Sequence, residues 1–135
     1  HRSRLLCRVI NDTDYHQTNL YRWKDGKSED RDFPAEIKDN RLVFKGPIDG
    51  WAAKVDLDEY QRTLLLYWER TNEPDLYLYE MIQVSNNGNN RARTWHWFQN
   101  GILAKRTLID EVKLTKDWSG YDGKNPSYED ILKGV

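Results

Sequence analysis

The dipeptide Asn100-Gly101 lies between two segments in which aromatic and β-branched residues alternate with polar ones. The preceding segment reads "RTWHWFQ" from Arg93, and the following one reads "ILAKRTLID" from Ile102. A two-residue hairpin turn of type I′ needs positive φ at both central positions, and Asn-Gly tolerates this well. The sequence therefore predicts a tight hairpin here, with Gln99 opposite Ile102.

Segments of the same kind recur along the chain and are separated by clusters of Gly, Asn, Asp and Pro, such as "KDGK", "TNEPD" and "SNNGNN". Nine strands are predicted, near residues 3–11, 16–24, 28–33, 41–46, 50–57, 61–70, 75–84, 91–99 and 102–114. A meander of this length forms either a barrel or a sandwich, and short sequential loops favour the barrel. We therefore expect an all-β fold, an antiparallel up-and-down barrel of eight or nine strands.

The strand pattern ends near Lys116. The following stretch, "DWSGYDGKNPSYEDILKGV", is rich in Gly, Asn and Pro. We expect a barrel domain over residues 1–116 and a short C-terminal tail over residues 117–135. One helical turn is predicted from Ser127 to Lys133, because Ser127 can cap it and Asp130 stands at the capping-box position.

The composition excludes several functional classes. Lys+Arg 21 and Asp+Glu 22 give a formal net charge of -1, which disfavours binding driven by nucleic-acid phosphates or anionic lipids. No apolar run approaches the roughly 20 residues of a membrane-spanning helix. A single cysteine, Cys7, excludes an internal disulfide and fits a reducing, cytoplasmic compartment.

Counting along the predicted hairpins places two sets of side chains on opposite faces of the late strands. From the Asn-Gly turn, Trp95 pairs with Arg106 and Trp97 with Ala104. Counting back through the two preceding loops gives further pairs: Ile82 with Arg93, Glu80 with Trp95, Leu78 with Trp97, Leu65 with Glu80, and Tyr67 with Leu78. One face then carries Glu80, Arg93 and Arg106 among aromatic residues.

Charge placement favours this face as the interior. A buried arginine needs a partner, and here Glu80 supplies a carboxylate and Trp95 a stacking surface. We expect Arg93 and Arg106 to meet an acidic group of a ligand, with Glu80 orienting them. The apolar body of that ligand would contact Trp95, Trp97, Tyr67 and Trp23. The alternative is a purely structural ion cluster of Glu80, Arg93 and Arg106.

Other candidates for a site carry less weight. No grouping of His, Cys and carboxylates has the spacing of metal ligands, so no metal site is predicted. His96 is expected to be a cross-strand neighbour of Tyr79 and Lys105. Cys7 is expected to be a small strand residue, and no nucleophile elbow, phosphate loop or dinucleotide motif is present.

The stretches "DLYLYEMIQVS" and "NNRARTWHWFQNGILAKRTLIDEVKL", together with "HQTNLYRWKDGKSED", resemble a lipocalin-like family of unknown function from cyanobacteria and chloroplast lineages. The resemblance covers most of residues 5–115. It implies a calycin barrel whose lumen holds a small hydrophobic molecule, and it adds the chloroplast stroma as a second compartment. The Gly-x-Trp strand typical of lipocalins is missing, so either a first strand precedes His1 or the barrel closes differently.

More distant relatives of that family include the phycobiliprotein chromophore lyases. In those enzymes a Trp and arginines of the late strands face the bilin, which corresponds here to Arg93, Trp95 and Arg106. The sequence thus predicts binding of a small amphipathic, acidic molecule such as a tetrapyrrole or a fatty acid, with a protein partner or a homodimer left open. A bilin lyase or isomerase using the same lumen, and a carbohydrate-binding module, are the alternatives.

Overall fold

A computed structural model describes residues 1–55, 62–120 and 125–133. The nine strands are β1 (Arg2–Val9), β2 (Asp14–Arg22), β3 (Ser28–Lys38), β4 (Arg41–Phe44), β5 (Ile48–Val55), β6 (Thr63–Arg70), β7 (Leu76–Val84), β8 (Asn90–Gln99) and β9 (Ile102–Val112). One short 3₁₀ turn follows at Trp118–Gly120. The predicted strand ends at 56–57 and 61 lie outside the described residues.

Each strand pairs antiparallel with the next strand along the chain, in the order β1 to β9. The single sheet curls into a half-barrel, which confirms the predicted all-β, up-and-down class. Within the described residues, β1 and β9 each have a hydrogen-bonded neighbour on one side only. The sheet therefore has a concave face, a convex face and two edges.

Two local features help the sheet to curl. A Cβ atom at Gly50 would lie 2.0 Å from the carbonyl oxygen of Tyr67 and 2.5 Å from the Cα of Trp68, so only glycine permits the close approach of β5 and β6. In the last hairpin the register shifts between Trp97 and Phe98, and Ala104 is left unpaired as a bulge. Bulges of this kind increase the local twist of a sheet.

The apolar core lies on the concave face of the middle strands. Its buried members are Ala35, Phe44, Ile48 and Ala52, and the partly buried residues packed against them are Tyr15, Phe33, Leu42, Leu66 and Trp68. These side chains alternate along their strands with residues of the convex face. The core therefore fills one part of the concave face and leaves the remainder open.

Residues 125–133 cover the convex face of β1 and β2. Arg4 donates from Nε to the carbonyl oxygen of Ile131 (2.9 Å) and from Nη2 to that of Asp130 (2.9 Å). Arg22 donates from Nε to the carbonyl oxygen of Pro126 (2.8 Å). Ile131 is fully buried. The tail is thus anchored by arginines of the first hairpin.

The predicted capping of the tail is confirmed. The backbone N–H of Ile131 donates to the carbonyl oxygen of Ser127 (3.0 Å), as in one helical turn. The N–H of Asp130 donates to Ser127 Oγ (3.2 Å), and Ser127 Oγ–H donates to the Asp130 carboxylate (2.9 Å). The segment forms this one turn and does not continue as a helix.

The hairpin predictions hold for some strands and are wrong for others. Gln99 pairs with Ile102, and Asn100 and Gly101 have φ of 51° and 77°, as a type I′ turn requires. The pairing of β7 with β8 is also as predicted, with Glu80 opposite Trp95. Beyond the bulge, however, Trp95 lies opposite Thr107 rather than Arg106.

The register of β6 against β7 is also corrected by one residue. Leu66, not Leu65, pairs with Glu80, and Trp68 pairs with Leu78. Because side chains alternate, this step turns Trp68 to the concave face and Tyr67 to the convex face. The cause is the connection over residues 71–75, which is one residue longer than a count from the sequence assumes.

Candidate functional site

The concave face encloses a cavity of about 1180 Å³. Its walls come from every strand of the sheet, and its inner end is lined by the apolar core. One wall, formed by β6 to β8, is aromatic, and the opposite wall, formed by β1 to β3, is polar. A cavity of this size and mixed lining is typical of sites for small molecules.

Three tryptophans form the aromatic wall. The ring centroids of Trp68 and Trp97 are 5.4 Å apart at an interplanar angle of 85°, and those of Trp95 and Trp97 are 5.7 Å apart at 72°. These edge-to-face contacts fix the three rings relative to one another. The three rings therefore form one contiguous apolar surface.

The indole nitrogens of this wall lack hydrogen-bond partners. Nε1 of Trp95 and Nε1 of Trp97 are both buried, and neither has an acceptor among the described residues. A buried donor without an acceptor costs about 1–3 kcal/mol, and buried indole N–H groups normally find a partner. Both N–H groups are closed off from solvent in this structure.

A compact ion cluster lies beside Trp95. Arg93 donates from Nε to Glu80 and from Nη1 to Glu111 (2.9 Å), while Arg91 donates from Nε to the other oxygen of Glu111 (2.6 Å). The guanidinium of Arg93 also lies over the Trp95 ring, 5.5 Å from its centroid. Two arginines thus face two carboxylates, and the cluster carries no net charge.

The charge of Arg93 is balanced by the carboxylates of the same cluster. Burial lowers the pKa of Arg93, but the hydrogen bond with Glu80 and the charges of Glu80 and Glu111 outweigh burial and raise this pKa above its ordinary value. A ligand carboxylate would have to compete with both glutamates for this guanidinium. The primary role of Arg93 is therefore to join β7, β8 and β9.

The polar wall carries a ladder of side chains along β2. Tyr15 donates to Gln17 Oε1 (3.0 Å), Gln17 donates to Asn19 Oδ1 (2.8 Å), and Asn19 donates to the hydroxyl of Tyr21 (3.0 Å). Burial, followed by the charge of Cys7, raises the pKa of Tyr15 well above its ordinary value, so its hydroxyl stays protonated. The ladder supplies neutral donors and acceptors rather than charge.

Two arginines stand at the end of the cavity near the β2–β3 and β6–β7 loops. Arg70 lies over the Trp97 ring, 5.6 Å from its centroid, and pairs with Glu73. Arg31 lies over the Tyr21 ring at 5.3 Å and pairs with Glu29 at 2.7 Å. Both guanidinium groups are partly exposed and line the cavity. Together with Glu29 and Glu73 they form a rim of arginine–glutamate pairs beside the aromatic wall.

Five of the seven predicted site residues line the cavity. Glu80, Arg93, Trp95 and Trp97 lie together, whereas Trp23 lies at the end of β2, where its ring contacts Tyr21 at 6.2 Å. The other two, Tyr67 and Arg106, are corrected to the convex face. There Tyr67 packs on Tyr79 (5.1 Å), and Arg106 pairs across the strands with His96.

The structure adds three residues that the sequence analysis missed. Trp68 belongs to the aromatic wall, and Arg31 and Arg70 form the rim. The pattern contained one usable signal, since Arg70 follows Trp68 by two residues and must share its face. The correct register of β6 was needed to choose that face.

Among the residues that the structure describes, no three His, Cys, Asp or Glu side chains are grouped so as to hold a metal ion. In the same part of the chain, no helix has the length and apolar character needed to cross a bilayer.

Fold and site together define a class: an all-β half-barrel whose concave face forms a cavity with an aromatic wall and a rim of arginine–glutamate pairs. No family model, no curated protein and no solved structure matches this chain.

Proposed function

We propose that this protein binds a small amphipathic molecule with an acidic group, of the tetrapyrrole or fatty-acid class, in the concave cavity. The cavity volume of about 1180 Å³ accommodates a molecule of that size. The apolar body would lie against Trp68, Trp95 and Trp97. The lipocalin-like resemblance points to the same class of ligand.

The observation that carries this proposal is the arrangement of rings and charges around the cavity. Trp68, Trp95 and Trp97 form one contiguous apolar wall, and the guanidinium of Arg70 lies over the Trp97 ring, 5.6 Å from its centroid. An amphipathic molecule can place its apolar body against the rings and its acidic group beside this arginine.

The acidic group is assigned to the rim. Arg31 and Arg70 are partly exposed, each is paired with a single glutamate at the surface, and both stand next to aromatic rings. Surface ion pairs of this kind are weak, so a ligand carboxylate can compete with Glu29 or Glu73. Arg93, with two carboxylates in a buried cluster, is a poorer partner.

The two alternative functions are less well supported. A lyase or isomerase would need Glu80 as a proton donor, but its carboxylate accepts the hydrogen bond of Arg93. A carbohydrate module would present coplanar tryptophans on an exposed surface, whereas Trp95 and Trp97 are inclined at 72° inside the cavity. Binding without catalysis is therefore the proposed function.

The direct test is titration of tryptophan fluorescence with biliverdin, haem and a long-chain fatty acid, combined with native mass spectrometry. We expect saturable quenching at micromolar ligand and a bound mass for at least one of them. Trp95→Phe and Trp97→Phe each reduce the apolar surface of the wall and should weaken binding about fivefold. Trp51→Phe, on the convex side of β5, is the matched control and should leave affinity unchanged.

A second pair of variants tests the rim. Arg31→Gln with Arg70→Gln should weaken binding of the carboxylate ligands about tenfold, because both charged donors are lost. Arg41→Gln, where the side chain lies over Trp51 at 5.6 Å, is the control. Absence of quenching and of any bound mass for all three ligands would refute the proposal.

A further inference from the structure

The last strand leaves one of its edges open. Within the described residues, β9 is hydrogen-bonded to β8 alone. The N–H of Lys113 donates to the carbonyl oxygen of Asn89 (2.8 Å), so the backbone groups of odd-numbered residues in this part of β9 point toward β8. By alternation, those of Arg106, Leu108 and Asp110 point to the open edge. The unpaired N–H and C=O groups of such an edge can form hydrogen bonds with another strand.

The side chains of the same residues are also uncovered. Leu108 is 79% exposed and Val112 is 68% exposed. Ala104, Arg106 and Asp110, which lie with them on the convex face, are exposed as well. Large apolar side chains that are this exposed beside an open strand edge are a liability unless another surface covers them.

The charge pattern of β9 matches that of a second, identical strand that runs antiparallel to it. From Ala104 to Val112 it reads "AKRTLIDEV", with two basic residues before Leu108 and two acidic residues after it. In an antiparallel pair of identical strands centred on Leu108, Arg106 lies opposite Asp110 of the second copy. The remaining pairs are Lys105 with Glu111, Ala104 with Val112, Thr107 with Ile109, and Leu108 with itself.

Neighbouring registers lose this complementarity. If the centre moves by one residue, Arg106 faces an apolar side chain, and Asp110 does so too. If it moves by two, either Arg106 or Asp110 faces its own copy. Opposite charges directly across a sheet stabilise the pair, and like charges destabilise it. Among these registers, only the one centred on Leu108 places every basic residue of the strand opposite an acidic residue of the second copy.

We propose that β9 is a homodimer interface, in which two copies of the chain pair their open edges antiparallel about Leu108. The two sheets then form one continuous sheet across the interface. Opposite charges flank a central contact between the two Leu108 side chains. The occupant of the edge is thus a second copy of this protein, and the charge pattern of the strand sets the register.

Charge reversal tests the register. Sedimentation equilibrium of the wild type should show a monomer–dimer equilibrium. Arg106→Asp should raise the dimer dissociation constant about 30-fold, because two attractive cross-strand pairs become repulsive. Asp110→Arg should do the same. The double variant Arg106→Asp/Asp110→Arg exchanges the two charges and should restore dimerisation. Circular dichroism of each variant checks that the monomer fold is kept.

Cross-linking tests the centre. In a Cys7→Ser background, Leu108→Cys should form a disulfide-linked dimer on mild oxidation, because paired Cα atoms lie about 5.5 Å apart, within disulfide range. Ile102→Cys is the control and should not cross-link, since it lies six residues from the centre and beyond the bulge at Ala104, far from its copy.

Three outcomes would overturn the proposal. The first is a wild type that stays monomeric at all concentrations, as expected if another segment of the same chain covers the edge. The second is a dimer that survives either single reversal, which places the interface elsewhere. The third is a double variant that fails to recover dimerisation, which excludes this register.

Discussion

Arg93 on the concave face and Arg4 on the convex face are equally buried, each with 8% of its surface exposed, but they are held by different partners. Arg93 pairs with the carboxylates of Glu80 and Glu111, on the two strands beside its own. Arg4 donates to the backbone carbonyl oxygens of Asp130, Ile131 and Lys133, more than 120 residues away.

The difference shows two ways to satisfy a buried guanidinium. Full charges give a strong but costly arrangement, because every member must be desolvated and removal of one leaves another unpaired. Backbone carbonyls at the end of a helical turn carry partial negative charge and have no intrahelical partner there. Arg4 satisfies these groups and at the same time attaches the tail.

The largest effect is expected on the concave side. Glu80→Ala removes one of the two carboxylates of a buried arginine and should lower the free energy of unfolding by about 3 kcal/mol. Urea denaturation followed by tryptophan fluorescence measures this change. The matched control is Glu80→Leu/Arg93→Met, which removes both charges. It should cost less than Glu80→Ala, and a larger cost would mean that the cluster itself is the source of stability.

A smaller effect is expected on the convex side. Arg4→Met keeps the aliphatic part of the side chain but removes its hydrogen bonds to the tail, and should cost about 2 kcal/mol. Hydrogen exchange should show loss of protection at Ile131 and little change in β7 and β8. Arg41→Met is the control, since Arg41 lies over the Trp51 ring at 5.6 Å, away from the tail. Equal loss of protection in all strands would show that the tail does not unfold separately.

The smallest effect on stability is expected when the pH is lowered. Hydrogen bonds from Lys133 and Ser127, and then the charge of Lys133, lower the pKa of Asp130 below its ordinary value of 3.8. A lowered pKa means that the stabilisation is complete above 3.8 and is lost as pH falls through the folded-state pKa. The tail turn should therefore loosen at acid pH before the sheet does.

NMR titration of the Ile131 amide measures this transition. Asp130→Asn is the control and should abolish the acid step. Persistence of the step in that variant would assign it to another carboxylate. Acid leaves the Arg93 guanidinium charged, because its raised pKa keeps it protonated throughout this range.

The strand pairing could be predicted from sequence only where the length of the connecting loop was predicted correctly. The Asn100-Gly101 turn is specified by backbone conformation, so the pairing of Gln99 with Ile102 was predictable. The loop between β7 and β8 had the assumed length, and the pairing of Glu80 with Trp95 followed. One additional residue in the loop before β7 was enough to exchange the faces of Tyr67 and Trp68.

The site was predictable to the same extent. Arg93, Trp95 and Trp97 were grouped with Glu80 because β7 and β8 are adjacent in sequence and regular. Arg106 was not placed correctly, because the bulge at Ala104 shifts every later residue of β9 by one. Such a bulge accommodates the twist of the whole sheet and leaves no mark in the local pattern.

The sequence by itself determined the all-β class, the number and order of the strands, the tight Asn-Gly turn and the capped turn of the tail. Those features depend on alternation and on the backbone preferences of neighbouring residues. Tertiary structure alone decided which faces became concave, that Arg70 meets Trp97 and Arg31 meets Tyr21 at the rim, and that Arg4 holds the tail. These depend on curvature and on contacts between distant segments, where a shift of one residue reverses the face of every side chain.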